Sequence, residues 1–329
     1  MTVISDDTFD SQSIETRVFV EGQLSIGLTL PLLSSGNIVA DFKEQIALAK
    51  LADELGFRAL WVRDVPLNSA EYPDPVGHLD PWVFLGALAS NTRQIALVSG
   101  AIVLTLRHPL HIAKGAISAD ALSGGRFILG LGSGDRPPEY AAFGRDSEER
   151  RELYRQHWET VAAALGPERR VIADRTPDDA PEFYLLPAST RSIPMLAVGS
   201  SGQSIDWIAR QSMGWVTYHR DPEVQRARYS MWRAAVERSA PAGAFRAFGV
   251  AMGLDLVPDA DAPAQDMNLG YRTGRHALLD ILRKMQESGV HHTTLSIQKS
   301  DRDPRDILEE LASEVLPEFH ARRASLSGA

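Results

Sequence analysis

The sequence alternates strand-like and helix-like segments along almost its whole length. Short apolar runs bounded by turn residues predict buried strands, and each is followed by a longer segment with helical spacing of apolar residues. The predicted strands are residues 25–31, 59–64, 95–104, 127–131, 194–199, 214–219, 245–257 and 292–297. Eight strand–helix pairs close a (β/α)8 barrel, whereas an open doubly wound sheet rarely needs so many. We therefore expect an α/β protein with the (β/α)8 TIM barrel fold.

Ordinary start and stop signals mark the helices. Asp80 precedes Pro81 as an N-cap residue at one start, and Gly56 stands at another helix end. The predicted helices are residues 42–55, 81–90, 109–122, 148–165, 204–211, 222–238, 274–288 and 304–319. We interpret residues 137–193 as an insertion after the fourth strand, residues 1–22 as an extension outside the barrel, and residues 23–329 as one domain.

The composition excludes several classes of function. The chain of 329 residues has 34 basic and 43 acidic side chains, and its formal net charge of −9 argues against a general affinity for nucleic acid or an anionic membrane. Cysteine is absent, which rules out disulfides, thiolate metal sites and cysteine nucleophiles. Neither a secretory signal nor an apolar run of roughly 20 residues is present, so we expect a soluble, cytoplasmic protein.

Three glycines mark the end of the fourth predicted strand. Gly130, Gly132 and Gly134 alternate at the end of the run that begins at Phe127, and a charged loop follows. Glycine lets another group approach the backbone closely because it has no Cβ. In a barrel of this type, the loops at the carboxyl ends of the strands build the ligand site. The glycines therefore indicate a ligand site, with packing at a barrel corner as the alternative.

Two other strand ends carry polar side chains that are candidates for catalysis. Arg63 and Asp64 end the second strand, and Tyr218 and His219 end the sixth. At the barrel mouth, these residues would contact a substrate or transfer a proton. The alternative for the first pair is a salt bridge or helix cap on the rim, and for the second pair it is core packing.

Small residues interrupt the third predicted strand at Gly100 and Ala101. Small side chains inside a barrel strand leave room for a flat ring, and a bulge there aims backbone groups at it. Tight packing against a neighbouring strand is the alternative.

A turn rich in glycine and serine follows the fifth strand and leads into a helix. It consists of Gly199, Ser200, Ser201, Gly202, Gln203 and Ser204. Free backbone N–H groups at a helix start, together with hydroxyls, bind anions. The turn is neither a Walker loop nor a Rossmann fingerprint, so the phosphate of a mononucleotide fits it best. An ordinary serine-capped helix is the alternative.

The sequence offers no metal site and no hydrolase motif. His291 and His292 are adjacent in a strand, and adjacent strand residues point to opposite faces. Neither the Gly-x-Ser-x-Gly elbow nor the His-Glu-x-x-His motif occurs. These absences leave the turn and the strand ends as the features that carry function.

In combination, these segments resemble the bacterial-luciferase-like flavin monooxygenases, and most closely the luciferase-type oxidoreductases of bacteria. The resemblance covers roughly residues 25–318. The matching motifs are Leu51-Ala-Asp-Glu-Leu-Gly-Phe57, Leu60-Trp-Val62, Asp80-Pro-Trp-Val-Phe-Leu-Gly-Ala-Leu-Ala89, Ala101-Ile-Val-Leu104, Arg107-His-Pro-Leu110, Leu122-Ser-Gly-Gly-Arg-Phe-Ile-Leu-Gly-Leu-Gly-Ser-Gly134, Ala142-Phe-Gly144 and Gly199-Ser-Ser-Gly202 leading into Asp206-Trp-Ile-Ala209.

The resemblance implies a cofactor across the barrel mouth, which is FMN or, in some members of the family, a deazaflavin. Gly100 and Ala101 would pass beneath the isoalloxazine ring, and the predicted insertion matches a segment that is often a mobile lid. Ser133 stands where luciferase has a phosphate-binding arginine, so Arg107 or Arg275 would have to compensate. The residues implied to hold the phosphate are Ser201, Gly202, Gln203 and Ser204.

One departure from the family concerns catalysis. Luciferase carries a catalytic histidine just after the second strand, and that place falls at Val65 here. This puts the light-emitting oxidation of aldehydes in doubt and leaves flavin binding as expected.

These observations lead to one main functional hypothesis and two alternatives. The main hypothesis is a two-component monooxygenase in which a separate reductase supplies reduced FMN and O2 oxygenates a small organic substrate. The first alternative is a deazaflavin-dependent enzyme that transfers hydride. The second is a non-catalytic flavin-binding accessory protein, and a homodimer is expected from the family.

Overall fold

A computed structural model describes residues 13–36, 40–70, 74, 76–171, 184–189 and 191–320. Eight parallel strands close a barrel in the order β1-β2-β3-β5-β6-β7-β8-β11, with β11 paired to both β8 and β1. The strands are β1 Ser25–Leu30, β2 Ala59–Val62, β3 Ala96–Ser99, β4 Ile102–Val103, β5 Phe127–Gly132, β6 Met195–Val198, β7 Gly214–Tyr218, β8 Ala247–Leu256, β9 Gln265–Met267, β10 Gly270–Thr273 and β11 His292–Ser296. The predicted (β/α)8 TIM barrel is confirmed.

Helices cover the outside of the barrel, and their caps follow the sequence signals. The Asp80 carboxylate accepts hydrogen bonds from the N–H groups of Trp82 and Val83, and Gly56 ends a helix in the left-handed conformation. The helices are α1 Ile14–Val18, α2 Phe42–Leu55, α3 Pro81–Asn91, α4 Pro109–Ser123, α5 Pro137–Ala142, α6 Arg150–Leu165, α7 Ile205–Gln211, α8 Pro222–Ser239, α9 Arg275–Glu287, α10 Pro304–Glu310 and α11 Leu316–Phe319, with a π-helical turn at Leu311–Val315. Among the described residues, no helix has the length and hydropathy of a bilayer span.

Two departures from the predicted strands affect the barrel mouth. The predicted third strand is broken after Ser99, and its second part, β4, pairs only with β5. The hairpin β9–β10 was missed, because its short strands are half exposed and carry no apolar alternation. It continues the edge of β8 through the pairing of β10 with β8.

The segment predicted as an insertion contains one regular barrel helix. Helix α6 packs against α4, and its buried residues include Tyr154, Trp158 and Val161. It therefore occupies the place of the fourth barrel helix. Only the segments before and after α6 are additional to the regular barrel. Residues 172–183 and 190 of the predicted insertion lie outside the described residues.

The N-terminal end of the barrel is closed by part of the segment that we predicted as an extension outside it. Ile14 and Val18 of α1, and Phe19 after it, are buried among side chains of the barrel interior. Inside the barrel, next to these buried side chains, the indole N–H of Trp61 donates to His292 Nε2 at 2.9 Å, and His292 Nδ1 lies 2.6 Å from the Ser25 hydroxyl. This network leaves the proton of the neutral His292 ring on Nδ1.

Candidate functional site

Packing and backbone conformation explain two of the three glycines at the end of β5. A Cβ on Gly130 would lie 2.0 Å from the carbonyl oxygen of Ser99, whose hydroxyl bridges the Gly130 backbone at 2.9 Å to both N and O. Gly134 has a φ of +77°, which other residues adopt rarely. Close packing between β3 and β5 therefore explains Gly130, and backbone conformation explains Gly134.

Asp64 is committed to an ion pair behind the barrel rim. Its two carboxylate oxygens accept from Arg107 Nε at 2.8 Å and Nη2 at 2.9 Å, and one also accepts from the Val103 N–H at 3.0 Å. Arg107 reaches Asp80 as well, at 2.9 Å. Burial alone would lower the pKa of Arg107, but the hydrogen bonds and charges of Asp64 and Asp80 outweigh it and raise the pKa. Asp64 therefore fixes the loop after β4.

Arg63 belongs to a second group of charges, which we call the mouth ion cluster and which comprises Arg63, Asp74, His78 and Arg136. Asp74 is its centre: one carboxylate oxygen lies 2.7 Å from Arg63 Nη1 and 3.4 Å from Arg136 Nη2, and the other lies 3.5 Å from His78 Nε2. Burial would raise the pKa of Asp74, but the hydrogen bond to His78 and the charge of Arg63 hold it well below its usual value. The cluster thus keeps a carboxylate charged at the mouth.

Tyr218 and His219 point to opposite sides of β7, as adjacent strand residues must. Tyr218 is 53% exposed, and its pKa is raised first by partial burial and then by the negative charges of Asp135 and Asp74. The Tyr218 hydroxyl therefore lies within electrostatic range of the mouth ion cluster. His219 is 5% exposed and lies outside the barrel wall, where its Nε2 is 3.1 Å from the Tyr271 hydroxyl. Arg63 and Tyr218 thus both lie near Asp74, Asp64 lines a neighbouring cavity together with Arg107, and His219 lies apart from these three residues.

The turn after β6 has a backbone suited to an anion. Gly199, Ser201 and Gly202 have φ values of +73°, +50° and +72°. None of the described groups accepts a hydrogen bond from the backbone N–H of Ser200, Ser201 or Gly202. The hydroxyl of Ser204 caps α7 by accepting from the Trp207 N–H at 3.2 Å. Unpaired N–H groups of successive residues in such a turn form a concave anion site.

Two arginines of α6 lie beside this turn. The Gly202 backbone packs so closely on Arg151 that a Cβ on Gly202 would lie 3.3 Å from Arg151 Cβ and Cγ. Arg155 donates to Gln203 Oε1 at 3.1 Å and lies over the Trp207 ring. Within the part of the chain that the structure describes, the Arg151 guanidinium has no ion-pair or hydrogen-bond partner.

The positions proposed to compensate for the missing arginine are occupied otherwise. Arg107 is held by Asp64 and Asp80, and Arg275 Nη1 lies 3.3 Å from Glu310 Oε1. Ser133 itself is fixed through its carbonyl oxygen, which accepts from Tyr140 and Thr105. Neither Arg107 nor Arg275 is therefore free to balance the charge of an anion at Ser133. Arg151 replaces them as the candidate for the cation that balances a bound phosphate.

Gly100 fits the alternative of tight packing against a neighbouring strand, here β2. A Cβ there would lie 2.5 Å from Cε3 of Trp61, so the absent side chain makes room for the indole ring inside the barrel. Ala101 lies beside Gly132, whose hypothetical Cβ would be 3.2 Å from the Ala101 Cβ. The Gly100–Ala101 peptide bond is cis. Tight packing therefore accounts for Gly100, while Ala101 borders the mouth.

A cavity of about 600 Å³ opens next to the ends of β2 and β4. Its size lies in the range of small-molecule sites. Val65, Arg107 and Phe143 contribute to its walls. Three histidines also line it, namely His78, His108 and His111. No sequence pattern predicted this grouping: His108 and His111 lie together at the start of α4, whereas His78 comes from the loop after β2.

Comparisons with known proteins give one consistent assignment. A family model described as luciferase-like monooxygenase matches residues 21–328. An uncharacterized protein of Mycobacterium tuberculosis is 30% identical over 244 residues, which cover 68% of this chain and 83% of that protein.

Solved structures support the same fold. An F420-dependent secondary alcohol dehydrogenase in complex with an F420-acetone adduct aligns with a TM-score of 0.74 at 14% identity, covering 91% of this chain and 99% of that one. The oxygenating constituent of 3,6-diketocamphane monooxygenase from Pseudomonas putida, in complex with FMN, aligns with a TM-score of 0.67 at 14% identity, covering 91% and 100%. Both flavin and deazaflavin proteins are thus similar in fold to this chain.

Proposed function

The chain belongs to the family of luciferase-like monooxygenases, and from this premise we propose that it is a two-component flavin-dependent monooxygenase acting on a small organic substrate. A separate reductase would deliver reduced FMN, and O2 would be the second substrate. One observation carries the proposal. The turn from Gly199 to Gln203 has a backbone suited to binding an anion, and the unpaired Arg151 lies beside it.

The residues of the turn fit the phosphate of FMN. Ser200, Ser201 and Gly202 would donate backbone N–H groups, and Arg151 would supply a charge-assisted hydrogen bond. Gly199 leaves open space, since nothing lies within 4 Å of its hypothetical Cβ. The isoalloxazine ring would lie near Ala101. When bound, the reduced flavin supplies the electrons that activate O2 for oxygenation.

The substrate would occupy the cavity of about 600 Å³. Val65 lines it at the place where luciferase carries a catalytic histidine, which supports a position beside the reacting ring. Arg63 and Tyr218 do not line this cavity, but His78 connects it to the mouth ion cluster, so both remain our candidates for contact with a substrate that reaches from the cavity to that cluster. Asp64 would act as a positioning residue through Arg107, and His219 has no place in this site.

Removing the charge of Arg151 tests the phosphate assignment. We expect Arg151→Met to weaken FMN binding by about tenfold or more, because a charge-assisted hydrogen bond to the phosphate is lost. Riboflavin lacks the phosphate, so its affinity should not change. Isothermal titration of the purified protein with both ligands measures the two effects.

Arg210→Met is the matched control, because Arg210 is exposed near the end of α7, away from the Gly199–Gln203 turn that precedes this helix. It should leave both affinities unchanged. Equal loss of FMN and riboflavin affinity in Arg151→Met would indicate a general structural effect. Unchanged FMN affinity in that variant would contradict the phosphate assignment.

A deazaflavin enzyme is the second candidate function. The similarity in fold to the F420-dependent secondary alcohol dehydrogenase supports it. Such an enzyme would transfer hydride and would not consume O2. A homodimer remains a proposal from the family for either function.

A further inference from the structure

A second cavity lies outside the barrel wall, between α8 and α9. Its volume is about 190 Å³, and it is separated from the mouth by strand β7. The lining residues are His219, Pro222, Gln225, Tyr271, Ile281, Lys284, Met285 and Ser288. No step of the proposed monooxygenase reaction uses this cavity.

Buried polar groups without partners line the cavity. Gln225 is 1% exposed, yet neither its amide nitrogen nor its amide oxygen has a hydrogen-bond partner among the described residues. His219 Nδ1 is likewise buried and unpaired. A buried amide without partners costs free energy, so these atoms together point to a bound group.

The lining determines the chemistry of that group. A glutamine side chain offers an oxygen acceptor beside an N–H donor, and a primary amide satisfies both at once through paired hydrogen bonds. A carboxylate would leave the Gln225 oxygen facing negative charge. Pro222, Ile281 and Met285 add an apolar wall for a short hydrocarbon group.

His219 is suited to the same ligand. Burial lowers its pKa to about 4, so the ring is neutral at pH 7 and presents one donor or one acceptor at Nδ1. Its other nitrogen is already engaged by the Tyr271 hydroxyl at 3.1 Å. The neutral ring adds a third hydrogen bond, and the one cation among the lining side chains, Lys284, is exposed to solvent, which screens its attraction for an anion.

We propose that this cavity binds a small neutral molecule with a primary carboxamide group and a short apolar body, held by Gln225 and His219. The cavity has room for on the order of six water molecules, which sets the size of the ligand at a few heavy atoms.

Isobutyramide and two analogues test the proposal on the whole protein, with binding followed by ligand-observed NMR and by soaked crystals. Isobutyramide should bind at Gln225, whereas isobutyrate and N,N-dimethylisobutyramide should bind about tenfold more weakly, because each loses one of the paired hydrogen bonds. This comparison needs no variant. It also does not depend on flavin binding.

The variant Gln225→Leu should reduce isobutyramide binding by about tenfold, whereas Arg226→Ala, at the exposed next position of α8, should not. Equal binding of the three compounds would overturn the proposal. So would a Gln225→Leu protein that binds isobutyramide unchanged, or a crystal in which water alone contacts Gln225 at saturating isobutyramide.

Discussion

Lowering the pH from 6 to 5 should reduce the free energy of unfolding by about 4 kcal/mol, because three histidines are buried in their neutral form. Burial lowers the pKa of His219 and His291 to about 4 and that of His292 to about 3. In the unfolded chain, these rings take up protons below pH 6.5, while in the folded protein they do not. Stability is therefore present above pH 6.5 and is lost progressively as the pH falls toward 4.

Urea unfolding at several pH values measures the slope of the free energy of unfolding against pH. The raised pKa of Glu139, caused first by burial, offsets part of it in the opposite direction. His219→Gln should reduce the slope by about one third, whatever its effect on absolute stability. A slope below that of a single proton would contradict the assignment, because it would mean that the three rings take up protons in the folded state.

Replacing Arg126 by methionine should destabilise the protein by about 3–5 kcal/mol. The buried guanidinium donates to the carbonyl oxygens of Ser123, Ile95, Ala89 and Thr92 and to the Thr92 hydroxyl, at distances from 2.7 to 3.2 Å. It thereby joins the end of α3, the start of β3 and the end of α4. Methionine fills similar space but leaves four buried carbonyl groups without donors.

Arg238→Met provides the comparison for this variant. Arg238 forms an exposed ion pair with Asp206 at 2.8 Å, and such pairs contribute about 1 kcal/mol or less. Denaturant unfolding of both variants at pH 7 measures the difference. Similar losses in Arg126→Met and Arg238→Met would contradict the structural role that we give to Arg126.

The barrel was predictable from the sequence because its signals are local. Helix α2 was predicted at its observed bounds, since Asp41 and Gly56 fix its ends and apolar spacing fixes its buried face. Gly100 and Ala101 marked the interruption of the third strand, but they did not predict that β4 pairs with β5 alone. That pairing is long-range and has no signature at residues 100–103.

The candidate site was only partly predictable. Alternation along β7 could have separated Tyr218 from His219, because one of two adjacent strand residues must face away from the mouth. The approach of Arg151 to Gly202 could not be predicted, since it depends on how α6 packs across about 50 residues of intervening chain. Asp74 and His78 also carry no pattern, because they come from an irregular loop after β2.

The central claim is that the barrel mouth binds reduced flavin and that the bound flavin reacts with O2. The measurement that tests it most directly is a titration of the apoprotein with oxidised FMN, reduced FMN and F420, followed by rapid mixing of the reduced complex with O2 in a stopped-flow spectrophotometer. We predict tighter binding of reduced FMN than of the other two, and an O2-dependent transient in the flavin absorbance. Preferential binding of F420, or binding of reduced FMN with no such transient, would contradict the monooxygenase assignment.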